Sequence, residues 1–113
     1  MLANSPQNDL WETVCTLDDI TPFTGVCALV GKEQVAIFRT SEDQLYAVQN
    51  YCPHGKASVL SRGLVGTIGE QIVVASPLYK QQYNLVTGEC LDDPEISLKT
   101  FSVRLENGAV QVR

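Results

Sequence analysis

The chain carries one closely spaced pair of side chains that could bind a metal ion or act as a nucleophile, Cys52 and His54. A structural zinc site needs four nitrogen or sulfur ligands, usually from two such pairs, and the sequence contains only one. A cysteine–histidine nucleophile needs a third group that orients the histidine, and this spacing supplies none. The remaining cysteines, Cys15, Cys27 and Cys90, stand at unrelated spacings. The residues alone therefore predict that Cys52 and His54 are ordinary loop residues.

Two pairs of adjacent carboxylates, Asp18-Asp19 and Asp92-Asp93, are the other groups that could carry acid–base chemistry. Both pairs are expected to be solvated turn residues, because aspartate favours turns. We therefore expect no catalytic residue on this chain. Cys15 and Cys27 fall in strand-like stretches, and free cysteine is among the most buried residue types, so both are predicted to be buried.

The elements that position these residues have the two-residue period of strands. Runs rich in β-branched and aromatic residues, separated by turn residues, predict strands over 11–15, 24–30, 34–39, 44–49, 71–75 and 82–85. At the C-terminus, alternating apolar residues on both sides of Asn107-Gly108 predict a hairpin with a type I′ turn. Residues 17–20 and 56–61 are each expected to make about one helical turn. This pattern predicts an all-β fold, an antiparallel sandwich or barrel of short strands.

Composition limits the function classes. At 113 residues and 12.4 kDa the chain is the size of one domain, predicted to span residues 10–113 after a flexible tail at 1–9. The net charge of −5 and the pI of about 4.6 argue against nucleic acid and against an anionic membrane surface as partners. No segment is typical of a secretory signal or a membrane span, so a cytoplasmic location is expected.

Two stretches of the chain resemble a Rieske iron–sulfur domain. Members of that family hold a [2Fe–2S] cluster with a Cys-x-His pair in one loop and a Cys-x-x-His pair in a second loop. Here Cys52 and His54 match the first pair, and the frame of the second loop is matched by Pro77, Tyr83 and Thr87-Gly88. The fold that this resemblance implies is the Rieske-like β-sandwich or barrel.

The ligand set of that cluster is incomplete in this chain. The resemblance places Ser76 and Tyr79 at the two ligand positions of the second loop. A Rieske centre binds one iron through two thiolates and the other through two imidazoles, whereas this chain contains one histidine. Cys52, His54, Ser76 and Tyr79 are therefore interpreted as vestigial cluster positions, with no cofactor and no metal expected on this chain.

Within the Rieske family, the chain is similar to the small subunits of assimilatory NAD(P)H-dependent nitrite reductases. The similar features extend over nearly the whole length and comprise Trp11 and residues 17–20, 24–29, 34–39, 58–64 and 74–78. At Cys52-Pro53-His54 the chain departs from the usual small-subunit pattern and looks more like an intact first Rieske loop.

This resemblance implies an accessory subunit of a cytoplasmic oxidoreductase that reduces nitrite to ammonium in nitrate assimilation. The catalytic centres are then expected on the large subunit, which would carry FAD, a [4Fe–4S] cluster and siroheme and would bind NAD(P)H. The alternative is a free-standing Rieske-type [2Fe–2S] ferredoxin that carries electrons. The single histidine argues against this alternative.

The residues around the two loops suggest a surface for the large subunit. Three cations in an acidic chain, together with two tyrosines, would suit an acidic partner surface, and tyrosine is enriched at interfaces. The candidate contacts are Tyr51, Lys56, Arg62, Tyr79 and Lys80. Two simpler interpretations stay open: the charges are scattered and solvated, and the tyrosines pack against each other in place of the cluster.

Overall fold

The computed structural model describes residues 11–40, 43–78 and 81–113. The predicted tail at 1–9 and two of the candidate site residues, Tyr79 and Lys80, lie outside these ranges. Within them the chain forms twelve strands and two single-turn 3-10 helices, and all strand pairs are antiparallel, which confirms the all-β fold class. In the described parts of the chain, no helix has the length and apolar character needed to cross a bilayer.

The first sheet joins the two ends of the described chain. Its strands are β1 (Glu12–Thr16), β11 (Val103–Glu106) and β12 (Ala109–Val112), in the order β1-β12-β11. The turn between β11 and β12 has positive φ angles at both central residues, 52° at Asn107 and 85° at Gly108. The predicted C-terminal hairpin is therefore confirmed, since a type I′ turn needs two such angles.

The second sheet separates two hydrophobic cores. It contains β2 (Gly25–Val30), β3 (Glu33–Arg39), β4 (Leu45–Gln49) and β10 (Thr100–Phe101), in the order β10-β4-β3-β2. Residues 35–38 of β3 are all buried, because alternate side chains of this central strand enter opposite cores.

The remaining strands position the residues of interest. A ribbon of β5 (Tyr51–Cys52) and β6 (Ala57–Ser58) carries the first loop, residues 53–56. A three-stranded sheet of β7 (Leu64–Ile68), β8 (Gln71–Ala75) and β9 (Gln82–Asn84) carries the second loop, which begins at residue 76. Cys52 and Tyr83, from these two units, meet in the first core with Phe38 and Leu60.

The prediction that Cys27 is buried was wrong, and Cys15 is only half-buried. Cys27 lies on β2, an edge strand of its sheet, and it alternates with Val26 and Ala28, which pack on the second core. Its face of the strand points outward, where Leu29 is 63% exposed. A cysteine in a strand-like stretch is buried only when its own face is covered, and the sequence did not show which strand lies at the edge.

Candidate functional site

The first loop is a tight hairpin that turns Cys52 inward. The pairing of Tyr51 with Ser58 puts the two residues of β5 on opposite faces, so Tyr51 is 45% exposed and Cys52 is fully buried. The turn closes through the Lys56 amide, which donates to the Cys52 carbonyl oxygen at 2.7 Å, and Lys56 itself has a φ of 55°. The loop therefore presents Lys56 to solvent and holds the Cys52 thiol beneath its tip.

The second loop touches the first. Ser76 follows β8 directly, and its hydroxyl accepts a hydrogen bond from the Leu78 amide at 3.3 Å. The Leu78 side chain lies against Gly55, where an added Cβ would stand 2.5 Å from Leu78 Cδ1. A glycine at position 55 therefore allows the close approach of the two loops.

Cys52 is surrounded by hydrogen-bonding groups from both loops. Its Sγ lies 3.2 Å from Ser76 Oγ and 3.8 Å from Tyr83 Oη, and the Gly55 amide donates to it at 3.4 Å. Burial raises the pKa of the Cys52 thiol, but hydrogen bonds from Ser76, Gly55, Tyr83 and the His54 backbone together outweigh burial and hold this pKa below its ordinary value. The hydrogen bonds of this site therefore favour ionisation of the Cys52 thiol more than its burial opposes it.

His54 is held by its own contacts rather than by Cys52. Its Nδ1 lies 2.7 Å from Tyr83 Oη, and its Nε2 lies 3.9 Å from Asp93 Oδ2. Burial, followed by the hydrogen bond to Cys52, raises the pKa of Tyr83 well above its usual range. The Tyr83 hydroxyl thus stays protonated and joins the imidazole to the thiol.

Two of these groups were not assigned a role from the sequence. Tyr83 was matched only as part of the second-loop frame, and Asp93 was expected to be a solvated turn residue. The alternation of the run 82–85 could have placed Tyr83 on an inner face, and the structure shows it fully buried. Tyr83 and Asp93 face the two ring nitrogens of His54, for which the spacing alone had supplied no orienting group.

Asn50 ties the first loop to the rest of the fold. It is 2% exposed, its Oδ1 accepts from the Ser61 amide at 2.7 Å, and its Nδ2 donates to the Ser58 carbonyl oxygen at 3.0 Å. Its own carbonyl oxygen accepts from the Leu60 amide at 3.0 Å. The buried Asn50 therefore fixes the end of β4 to strand β6 and to the helical turn Leu60–Arg62.

The carboxylate pairs mainly shape turns. Asp19 accepts hydrogen bonds from the backbone amide and the hydroxyl of Thr16 at 2.9 and 3.1 Å. Asp92 accepts from the Gln82 amide at 2.9 Å, and Asp93 accepts from the Glu95 amide at 3.2 Å. These contacts agree with the turn roles expected from the sequence, and Asp93 adds its approach to His54.

The residues present do not fit a Rieske cluster. Such a cluster needs two thiolates and two imidazoles, and the whole chain has one histidine. The Ser76 hydroxyl stands beside the Cys52 thiol, and Nδ1 of His54 is hydrogen-bonded to Tyr83. Among the described residues, no group of three or more histidine, cysteine or acidic side chains could hold a metal ion.

The described members of the candidate partner surface are all exposed. Tyr51 and Lys56 belong to the first hairpin, and Arg62 ends the helical turn Leu60–Arg62. Arg62 also lines a cavity together with Ser76 and Pro77, next to the second loop. The structure thus places Arg62 beside the second loop and Lys56 at the tip of the first, while packing of Tyr51 against Tyr79 stays an untested alternative.

Comparison with known proteins assigns the family. Residues 10–113 match the model of the Rieske-like [2Fe-2S] domain. The nitrite reductase (NADH) small subunit of Salmonella typhimurium is 49% identical over 104 residues, which cover 91% of this chain and 96% of that protein. The chain belongs to the Rieske-like family of nitrite reductase small subunits. This confirms the resemblance found in the sequence.

Two further relatives show that this domain occurs both as a separate chain and as a segment of a longer chain. The NMR structure of the E. coli protein NirD is 48% identical, has a TM-score of 0.85 and covers 92% of this chain and 96% of that chain. The nitrite reductase [NAD(P)H] large subunit of Klebsiella oxytoca contains a segment 43% identical over 102 residues, which covers 90% of this chain and 11% of that protein. The small-subunit domain therefore also occurs within a large-subunit chain.

Proposed function

We propose that this chain is an accessory subunit that binds the large subunit of an NAD(P)H-dependent nitrite reductase and acts without an iron–sulfur cluster of its own. The observation that supports this best is the related segment within the Klebsiella oxytoca large subunit. A domain that is fused to the large chain in one protein and separate in another is expected to function in contact with that chain in both. Nitrite reduction to ammonium, with FAD, a [4Fe–4S] cluster and siroheme, then belongs to the large subunit, in the cytoplasm and in nitrate assimilation.

The hydrogen-bonded side chains under the two loops, Cys52, His54, Ser76 and Tyr83, support a role without iron. The hydroxyl of Ser76 and the thiol of Cys52 satisfy each other, and Tyr83 satisfies His54. Buried polar groups that are paired stabilise one loop arrangement, whereas unpaired groups would cost about 1–3 kcal/mol each. The cluster-free site thus keeps the two loops in place as a binding surface.

The ferredoxin alternative needs a complete cluster to carry electrons. The chain has one histidine in total and a serine beside Cys52, so it supplies too few ligands for a Rieske cluster. The accessory role makes no such demand. The relative from Salmonella typhimurium, at nearly half identity, bears the small-subunit name.

The contacts with the large subunit are proposed to include Tyr51, Lys56, Arg62, Tyr79 and Lys80. The described residues of this set are exposed, while the protein as a whole is acidic. Exposed cations on an acidic protein attract an acidic partner surface and mainly affect the association rate, whereas a buried tyrosine anchor contributes more to affinity.

The proposal is tested by reconstitution. The large subunit, purified without this chain, is titrated with the chain, and NAD(P)H-dependent nitrite reduction is followed together with binding. We expect the rate to rise and to saturate at a fixed ratio of the two chains. Absence of binding and an unchanged rate at every ratio would overturn the proposal.

A further inference from the structure

A cavity of about 370 Å³ opens beside the second loop. Its walls are mainly apolar and come from Leu64 on β7, Ala75 on β8 and Pro77, and Arg62 and Gln82 also line it. The hydroxyl of Ser76 also lines it, but this group is already bonded to Cys52 and to the Leu78 amide. The cavity therefore favours an apolar occupant, since its buried hydroxyl is satisfied by the protein itself.

The rim of the cavity exposes more apolar surface than a solvated loop requires. Leu64 and Pro77, which line the cavity, are both exposed, Leu64 at 78%, and Leu78, which follows Pro77, is 49% exposed. A single exposed leucine on a protein surface is ordinary, but apolar side chains grouped around a concave site are typical of an interaction surface.

The two cations at this end, Arg62 and Lys56, lack ion-pair partners in the part of the chain that the structure describes. Elsewhere in the same acidic protein, carboxylates pair with Arg39, Lys99 and Arg104. Gln82, which also lines the cavity, donates its backbone amide to Asp92 Oδ2 at 2.9 Å. Arg62 is therefore free to pair with a carboxylate from outside the chain.

The rim is held in place by a close approach of the backbone. At Gly63, between Arg62 and Leu64, an added Cβ would stand 2.4 Å from the Ala75 carbonyl oxygen and 2.7 Å from Val74 Cγ2. The backbone at Gly63 therefore lies directly against the end of β8, where Leu64 begins the pairing of β7 with Ala75. This contact fixes the backbone between Arg62 and Leu64 before any partner arrives.

We infer that this cavity is a docking groove for an acidic, apolar segment of the nitrite reductase large subunit. One aliphatic or aromatic side chain of that segment enters between Leu64 and Pro77, and a neighbouring carboxylate pairs with Arg62. The volume is at the low end of ligand cavities and suits one or two side chains. The inference rests on the proposed function and assigns the place and chemistry of the contact.

The test measures the affinity of the large subunit for matched variants. Leu64→Glu and Arg62→Glu alter the groove, whereas Leu29→Glu on β2 and Lys32→Glu in the turn before β3 make the same changes elsewhere. We expect each groove variant to raise Kd about tenfold or more and each control to change it less than about twofold. Arg62→Glu should also weaken the dependence of the association rate on salt.

A second measurement uses the unmodified protein and does not depend on variant folding. Hydrogen exchange of the wild-type chain should slow at residues 64–68 and 75–78 when the large subunit binds. If the wild type binds but these residues are unprotected and the groove variants bind normally, the docking groove is refuted while the proposed function stands. If the wild type does not bind at all, both are refuted.

Discussion

Removal of the Tyr83 hydroxyl should destabilise the protein through its effect on His54. Tyr83 is fully buried, and its hydroxyl contacts His54 Nδ1 at 2.7 Å and Cys52 Sγ at 3.8 Å. Tyr83→Phe keeps the ring in the core and deletes only these polar contacts. The change therefore tests whether the hydrogen-bonded cluster, rather than the packing around it, holds the two loops.

The expected loss follows from the contacts removed. A hydrogen bond contributes a net stabilisation of about 0.5–1.5 kcal/mol, and a buried polar group left without a partner costs about 1–3 kcal/mol of stability. The side chain of His54 is 20% exposed, so water can partly replace the lost partner. We expect a destabilisation of about 1–2 kcal/mol, which lowers the Tm of a chain of this size by about 4–8 °C.

Urea unfolding of the wild type and of Tyr83→Phe measures this loss. The matched control is Tyr46→Phe, because the Tyr46 hydroxyl makes one exposed hydrogen bond, to Gln44 at 2.9 Å. We expect the control to change stability by less than about 0.5 kcal/mol. In a double-mutant cycle with His54→Ala, the coupling to Tyr83 should be about 1 kcal/mol. A Tyr83→Phe protein as stable as the wild type, with no coupling, would refute the reasoning.

Three further predictions concern the residues around the site. Hydrogen bonds hold the pKa of the Cys52 thiol below its ordinary value in the folded protein, so the wild type should gain stability over Cys52→Ser as pH rises from the folded pKa towards the unfolded one. Unfolding measured at several pH values would show no such gain if the thiol were unperturbed. Asn50→Leu should cost about 2–4 kcal/mol in urea unfolding, since it leaves the Ser61 amide and a carbonyl oxygen without partners; a loss below about 1 kcal/mol would contradict this. Gly63→Ala should cost about 1–3 kcal/mol, whereas Gly66→Ala, with no atom within 4 Å of the added Cβ, should cost less than about 1 kcal/mol, and equal Tm values for the two variants would contradict the close approach.

Most of the long strands could be predicted from local patterns. The strand at 71–75 has the predicted bounds, and the C-terminal hairpin has the predicted turn. Strand β7 was missed because its exposed Leu64 and Ile68 and its central Gly66 give no clean alternation. The two-residue strands β5 and β6 are the arms of one short hairpin, and β10 exists only through pairing with the distant β4. None of the three is long enough to show an alternating pattern.

The candidate site was predictable in its composition but not in its contacts. The histidine count was enough to show that the ligand set is incomplete. The bonds of Cys52 to Ser76 and of His54 to Tyr83 join residues 24 and 29 positions apart. Such contacts depend on how the first hairpin packs against β8 and β9. Sequence spacing could not show that these polar groups satisfy one another.

The central claim is that this subunit supports nitrite reduction without a cluster of its own. The most direct measurement is the NAD(P)H-dependent rate of the large subunit mixed with metal-free chain, compared with chain taken through anaerobic iron and sulfide reconstitution. A third sample carries Cys52→Ser with His54→Gln and so lacks both remaining ligand types at the site. We predict equal stimulation by the two wild-type preparations, and stimulation by the variant as well once it is shown to be folded and is added at a saturating concentration. Stimulation only by the iron-loaded wild type, with about two irons per chain, would contradict the account.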